Sequence, residues 1–396
     1  MKADPPFITP GIAPLSPGQR AGGEGLHTTT SFPTPGEAVI FQPEFVEFGG
    51  EERVILALSE GLHARGLPHS VLCYRDHIDL ARHARLPLRV HQLRPSGPGL
   101  ARALALRAAL QRLHAMGSPT PVLFNIQSAL HAGLSGARRY HLRIPDTYSL
   151  LTPARTPFWD PLDLRLALRD WATGRGVRGA EQLLTNTRAL SREMGQLYGR
   201  SARVHYLGGH GHTAAEAPAR SQRVVHLLSV CRLQASKRVD WMLRALAQED
   251  GQRDLGDWRL HVAGAGPQRD ALQALALQLG IHDRVSFHGF VSDEQLEALY
   301  RQAHIFLMPA RQGFGLPAIE ALYRHSAVVL NRESGVSEIL EGTPWVLIAE
   351  SGERAFAGAL RAMLRRVRED GFFARPLPAL PDMRAWADDV IETLGW

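Results

Sequence analysis

Lysine is nearly missing from this chain. Of its 45 Lys+Arg residues only Lys2 and Lys237 are lysine, so arginine supplies almost every positive charge and one lysine stands in the interior of the sequence. Cysteine is as scarce: Cys73 and Cys231 alone exclude a disulfide framework or a cysteine-built zinc cluster. No stretch approaches the roughly 20 apolar residues of a membrane span. The opening MKADPPFITPGIAPLSPGQ lacks the apolar segment of a secretory signal. Between Asp79 and Asp146 there is no acidic residue, and aromatics make up only 7% of the chain. A cytoplasmic, water-soluble protein is expected.

What is present fits that expectation. A hydrophobic fraction of 44% and a charged fraction of 21% are ordinary for a folded protein, and 396 residues exceed what one core usually serves, so two domains are expected. The net charge of +6 is uneven: residues 1–200 carry 23 basic and 16 acidic side chains, residues 201–396 carry 22 and 23. Ten arginines fall between Arg82 and Arg143. That segment reads either as a face for anionic lipid or an acidic acceptor, giving a peripheral membrane contact through residues 82–143, or as a solvated surface. Nucleic acid is not expected as a partner, because the segment has few aromatics and no binding motif.

Residues 1–35, rich in Pro, Gly, Ser and Thr, read as a flexible tail. Strand Ala38–Phe41, a loop ending at Gly49-Gly50, a helix with Val54, Leu58 and Leu62 at helical spacing that stops at Gly66, and strand His69–Tyr74 open a βαβ unit. A helix over 100–115 and strands at Pro121–Asn125 and Gln182–Asn186 extend it. Residues 207–222 read as a linker. Beyond it the alternation restarts: strands Val224–Val230, Trp258–Ala263, Val285–Phe287, Ile305–Met308 and Val328–Leu330, the last closing the series, with helices over Val239–Gln248, Gln268–Leu279, Asp293–Ala303 and Pro317–Tyr323. The expected fold is α/β, two doubly wound Rossmann-like domains facing a central cleft, with ligands at the carboxyl ends of the strands. The expected spans are 36–206 for the first domain and 223–375 for the second.

Three segments bear on chemistry. In Ser229–Asp240, Arg232 and Lys237 lie five apart between a strand end and a helix start, where two cations can converge on one anion beside a helix N-terminus; the alternative is a pair of surface cations on a turn. In Pro309–Leu322, Gly313 and Gly315 let a backbone approach a ligand, Pro317 suits a first helical turn, and Glu320 follows where it can accept hydroxyl hydrogen bonds; the alternative is a tight turn with a surface glutamate. Val262–Arg269 has only two of the three glycines of a dinucleotide fingerprint and no ribose-binding acid about 20 residues on, so it reads as a glycine turn rather than an oxidoreductase site.

The segment from about 224 to 342 resembles the donor domain of retaining glycosyltransferases of family 4, which have the GT-B fold. The pieces are Cys231-Arg232-Leu233 with Lys237, Val262–Pro267, Val285–Val291, Gln312–Glu320 and Ser334–Glu338, in order. Phe48–Val54 is similar to the family's first glycine loop, and Arg384-Ala-Trp386 to a C-terminal segment, here 376–396, that crosses back to the first domain. The resemblance implies that Arg232 and Lys237 bind the donor diphosphate and stabilise its charge as it leaves. It implies that Gly49 and Gly50 approach the donor or acceptor, that the backbone at Gly289 and Phe290 reads the base, and that Glu320 takes the ribose. Gly264 belongs to the donor-side turns, and the amides of Gly313, Phe314, Gly315 and Leu316 face the phosphates or sugar. The nucleotide-diphosphate sugar is a co-substrate, with no cofactor and no metal; the acceptor is a glycan, lipid or small molecule.

Departures from the family pattern matter as well. Gln312 stands where the family usually has the first of two glutamates, Cys231 where it has a glycine, and Pro145 of Ile144-Pro-Asp-Thr147 where it has a histidine; Gln312 and the nearby His141 join Arg232 and Lys237 as the candidate catalytic residues. An amide can bond a sugar hydroxyl but brings no charge to an oxocarbenium ion. A scaffold that binds nucleotide or a partner without turnover is therefore the alternative function.

Overall fold

The computed structural model describes residues 32–34, 36–97, 99–115, 121–125, 128–146, 161–209, 218, 220, 223–249 and 257–396. Most of the expected tail, Thr147, and residues 210–217, 219, 221 and 222 of the expected linker lie outside these.

Two parallel sheets organise the described residues. The first is built from β1 (Ala38–Phe41), β3 (His69–Cys73), β5 (Val90–Gln92), β6 (Val122–Asn125), β7 (Tyr140–Ile144), β8 (Leu183–Thr185) and β9 (Arg203–Val204), in the order β5-β3-β1-β6-β7-β8-β9. A two-stranded piece, β2 (Glu44–Phe45) with β4 (Arg75–Asp76), stands beside it. The second comprises β10 (Val224–Val230), β11 (Asp257–Ala263), β12 (Val285–Gly289), β13 (Ile305–Met308), β14 (Ala327–Asn331) and β15 (Val346–Ala349), in the order β12-β11-β10-β13-β14-β15. In both sheets the chain works outward from the first strand one way, then returns and works outward the other way. The reversal leaves a crevice above β1/β6 in one sheet and above β10/β13 in the other, where loops on the two sides diverge. Strands such as AVIF, IFLM and AVVLN are apolar at nearly every position because both faces are covered.

Sequence periodicity finds the second sheet almost strand for strand, but the series does not close at Leu330. β15 and the helix Glu353–Arg366 follow; a four-residue strand after a short turn is too brief for a periodic signal. Also missed are β5, β7, and the helices Ser128–Ser135, Pro161–Gly179 and Arg188–Tyr198. The first two of these helices touch through backbone: a Cβ at Gly176 would sit 2.0 Å from the Ala129 carbonyl oxygen. They bury main chain rather than a stripe of large side chains, so no apolar period marks them.

The C-terminal helix Met383–Leu394 lies against the first sheet's helix Gly50–Ala64. Its Ile391 is fully buried, its Asp388 pairs with Arg65 at 3.2 Å, and its Asp389 accepts from His205 at 2.6 Å. Two chain crossings therefore run side by side between the sheets, with the Gly209 N–H bonded to the Pro381 carbonyl at 3.1 Å. Among the described residues no helix is long and apolar enough to cross a membrane.

Candidate active site

The site grows from the two crevices. After β10 the chain turns through Cys231-Arg232-Leu233, and Gly264 of the next strand's turn presses against it: a Cβ there would fall 1.9 Å from the Cys231 carbonyl oxygen. The Leu233 N–H bonds Ala265 at 2.9 Å, and the Gly264 N–H bonds Gly289 at 2.7 Å. The glycine turn at 264–266 thus braces the loop that carries Arg232. A short 3-10 turn, Ala235–Lys237, ends in Arg238 at φ 51°, and the helix Val239–Glu249 starts at once. Arg238 holds this left-handed conformation because its guanidinium is fixed by Glu333 and by the Trp241 face, 4.3 Å away.

Across the crevice, after β13, runs Gln312–Gly315. Lys237 Nζ donates to Gln312 Oε1 at 2.5 Å, while Gln312 Nε2 donates to Met308 Sδ at 2.9 Å and Ser334 Oγ at 3.3 Å. The amide is held on both ends. As a neutral acceptor it leaves the Lys237 charge uncancelled, where a glutamate would pair with it. Burial pushes the Lys237 ammonium below its usual range, with nearby Arg232 adding to that and Asp146 opposing it. Gly315, at φ 119°, has no room for a Cβ, which would come within 2.6 Å of Gln312 Nε2. The helix Leu316–Tyr323 begins there with Pro317 in its first turn.

This helix start meets another. A Cβ at Gly50, the first residue of Gly50–Ala64, would touch Leu316 Cδ1 at 4.0 Å. Two helix N-termini with their positive dipole ends therefore meet beside Lys237; in the second, Pro317 has no N–H and the Ala318 N–H bonds the Gly315 carbonyl at 3.1 Å. Glu52 caps the first through the Gly49 N–H at 3.0 Å.

Of the expected residues, the structure brings together Lys237, Gln312, Gly313, Gly315, Leu316, Gly49 and Gly50. Arg232 stands at the rim, 63% exposed and paired with Glu47 of the first half at 3.0 Å. Gly264 and Gly289 lie behind the Arg232 loop, and Phe290 projects at the lip with 90% of its surface exposed. Phe314 is buried, its carbonyl taken by Ser334 Oγ. Glu320 sits one turn into its helix, accepts from the Tyr300 hydroxyl at 3.0 Å, and is pushed above the usual carboxylate range by burial.

His141 is not brought to the site. It is buried in the body of β7, its ring packed 6.5 Å from that of Trp396 behind the sheet, because it faces the C-terminal helix rather than the strand's carboxyl end. The residue that reaches the site from this segment is Asp146, whose Oδ1 accepts the Gly313 N–H at 3.1 Å. Burial raises its pKa and Glu51 adds to that, against Lys237, the Gly313 amide and Arg143.

Sequence reading also missed the floor of the first crevice. Arg143, 3% exposed, donates to Glu51 and to Asn125 at 2.7 Å each and to Asn186 at 3.2 Å. Asn125 in turn donates to Gln42 at 2.9 Å, and Gln42 to Glu52 at 3.2 Å. Each of Gln42, Asn125, Arg143 and Asn186 stands within one residue of a strand's carboxyl end, a positional signal that was available. Among the described residues no group of three or more His, Cys, Asp or Glu is arranged to hold a metal ion.

Comparison with known proteins places this geometry. A model described as glycosyl transferases group 1 matches residues 224–366, and one described as glycosyltransferase family 4 matches residues 48–208. A glycosyltransferase of Methanocaldococcus jannaschii, itself uncharacterized, is 33% identical over 29% of this chain and 29% of its own. The alpha-D-kanosaminyltransferase of Streptomyces kanamyceticus is 27% identical over 53% of this chain and 58% of its own. The chain thus spans under two thirds of the length of these curated relatives. The Anabaena protein HepE, solved in complex with UDP and glucose, superposes with a TM-score of 0.67 at 19% identity, over 91% of this chain and 99% of that one. That likeness establishes a shared fold, the two-sheet GT-B architecture.

Proposed function

Because the chain belongs to glycosyltransferase family 4, we propose that it moves a sugar from a nucleotide-diphosphate donor to a hydroxyl-bearing acceptor, with retention and without a metal. The observation that carries the reading is the convergence of Lys237 and two helix N-termini on one cleft between the sheets. As the glycosidic bond breaks, negative charge grows on the departing diphosphate. Fixed cations and amides stabilise that charge more than they stabilise the bound donor, which lowers the barrier. Arg232 joins them from the rim once its exposed pairing with Glu47 gives way, at small cost for a surface ion pair. Glu320 and the Gly289-Phe290 turn take the ribose and base, and Gly264 braces the loop. Retention has the acceptor attack from the face that the diphosphate leaves, with the polar floor of the first sheet beneath it. The complex of HepE with UDP and glucose supports a nucleoside-diphosphate donor.

A second reading is favoured by Gln312, whose amide is fully engaged, and by the distance of His141: a scaffold that binds nucleotide without turnover. The first sheet's side also suits a peripheral contact with anionic lipid, since the helix Leu100–Ala115 exposes Leu100 and Leu104 beside Arg107.

One experiment separates these. The protein is melted against a panel of nucleotide sugars, and the stabilising donor is then incubated with sugar, lipid and small-molecule acceptors, with and without anionic vesicles. Saturation at about 100 times Kd adds roughly 2.7 kcal/mol of stability. Stabilisation with transfer or donor hydrolysis supports the enzyme, and stabilisation with neither supports the scaffold. No stabilisation by any member overturns both.

A further inference from the structure

We infer that Asp146 is a positioning residue that closes the cleft, docking the first half onto the donor loop of the second through the Gly313 amide; this rests on the glycosyltransferase reading. The two halves are tied by a carboxylate cap, where Glu338 accepts from the Arg188 and Ala189 amides of the helix Arg188–Tyr198 at 2.7 and 2.8 Å and from the Tyr206 hydroxyl at 2.9 Å. At the mouth, two further ties are solvent-exposed ion pairs, Arg232–Glu47 and Arg53–Asp293, the second at 3.1 Å. Such pairs are worth little and do not fix a geometry.

Asp146 is different. Its bond to Gly313 joins residues 167 apart in sequence. It is also as close as two backbones allow. A Cβ at Gly313 would lie 2.2 Å from Asp146 Oδ1 and 2.3 Å from the Pro145 carbonyl oxygen. From the other side, Gly335 presses on the Gly313 carbonyl, where a Cβ would come within 1.9 Å. The Gln312–Gly315 loop is therefore held between Pro145-Asp146 of the first half and Gly335 of its own half, and it carries both the acceptor for Lys237 and the start of the Leu316–Tyr323 helix.

Lys237, Glu320 and the Gly289-Phe290 turn all belong to the second half, so a nucleotide can bind there without closure. Transfer needs the acceptor side brought up to the donor sugar, and that approach is what the Asp146 bond registers. Misplacing reacting groups by an ångström can cost about a hundredfold in rate even when binding is intact.

The test compares Asp146→Ala with Asp146→Asn. Asparagine keeps an oxygen that accepts the Gly313 N–H and loses the charge. Alanine is expected to lower kcat at least about tenfold while the Kd for free nucleoside diphosphate stays within about twofold, and asparagine to restore most of the kcat. Unchanged kcat in the alanine variant overturns the inference, as does an equal loss of nucleotide affinity. An asparagine variant as slow as alanine does so too, because the charge would then be what matters. If alanine prevents folding, Asp146→Leu, of larger volume and without an acceptor, makes the same comparison. Failure of the wild-type protein to bind any nucleotide would count against the function itself, not against this role.

Discussion

Both sheets end in crevices of the same topology, yet they are finished in different materials. At the second crevice the strands run out into glycine turns, with Gly264 and Gly313 clearing the way for main chain, Gly289 and Gly315 for side chains, and Lys237 adding one charge. At the first, the strands run out into long polar side chains: Gln42, Asn125, Arg143 and Asn186 bond one another and the carboxylates of the adjoining helix. Backbone amides and a point charge suit an anion of fixed shape. A web of amides and a guanidinium suits neutral hydroxyls, whose positions vary from one acceptor to another. On the proposed function, one fold used twice would separate the part of the reaction that donors share from the part that acceptors do not.

The sharpest way to break this contrast is to remove the hub of the side-chain web. Arg143→Met keeps much of the apolar stem against Trp386, whose ring lies 5.5 Å from the guanidinium, but strips Asn125, Asn186 and Glu51 of their donor. A buried ion pair or polar network broken on one side costs about 3 kcal/mol. Denaturant unfolding should show that loss, while nucleotide affinity, which the proposed function draws mainly from the other half, is retained. Unchanged stability would mean that the web does not hold the floor.

A smaller effect belongs to the second crevice. On the proposed function, Lys237→Ala removes a charge-assisted contact to the diphosphate worth about 2 kcal/mol, or roughly thirtyfold in Kd. Calorimetry with a nucleoside diphosphate should read this with the melting temperature little changed. If affinity is unaltered, the two helix N-termini bind the anion without it, and the role given to Lys237 fails.

The same contrast explains what the sequence makes visible. Glycine turns and a lysine five residues after an arginine are local, so order and spacing along the chain expose the loops of the second crevice, including Lys237 and the Gln312–Gly315 run. The first crevice is assembled from single residues on separate strands, and Arg143 looks like any other arginine in a chain with so many. β7 escapes the period-2 reading because its His141 and Arg143 are buried against the C-terminal helix, so polar residues occupy positions that pattern reading gives to solvent. Asp146 lies within Ile144–Thr147, where the family pattern marks the histidine position held by Pro145; only the tertiary approach of Gly313 shows which side chain of this segment arrives.

The gentlest test concerns how each half carries its histidines. In the first half His131 stands with one hydrogen-bonding partner, the Tyr74 hydroxyl at 3.0 Å. In the second, His288, His261 and His226 form a ladder across β12, β11 and β10, with ring nitrogens 3.1 Å apart at each step, and the His226 backbone N–H donates to His304 Nδ1 at 3.1 Å. Each step needs one nitrogen bare to accept, so a second proton on His261 turns an N–H···N bond into two facing N–H groups. Burial first, then His226, His288 and Arg259, push His261 down to about 4; burial also lowers His226 and His288, with Arg259 reinforcing and Asp257 opposing at His226. A histidine with a depressed folded pKa is protonated more readily when unfolded. Its contribution is therefore full above the unfolded value of about 6.5 and is lost as pH falls from there towards about 4. His261→Gln keeps polar contacts but cannot titrate, so its melting temperature should fall less than wild type between pH 7.5 and 5. Parallel declines would show that the ladder does not sense acid, and that the loss comes from isolated imidazoles such as His131, itself held at about 4 by burial.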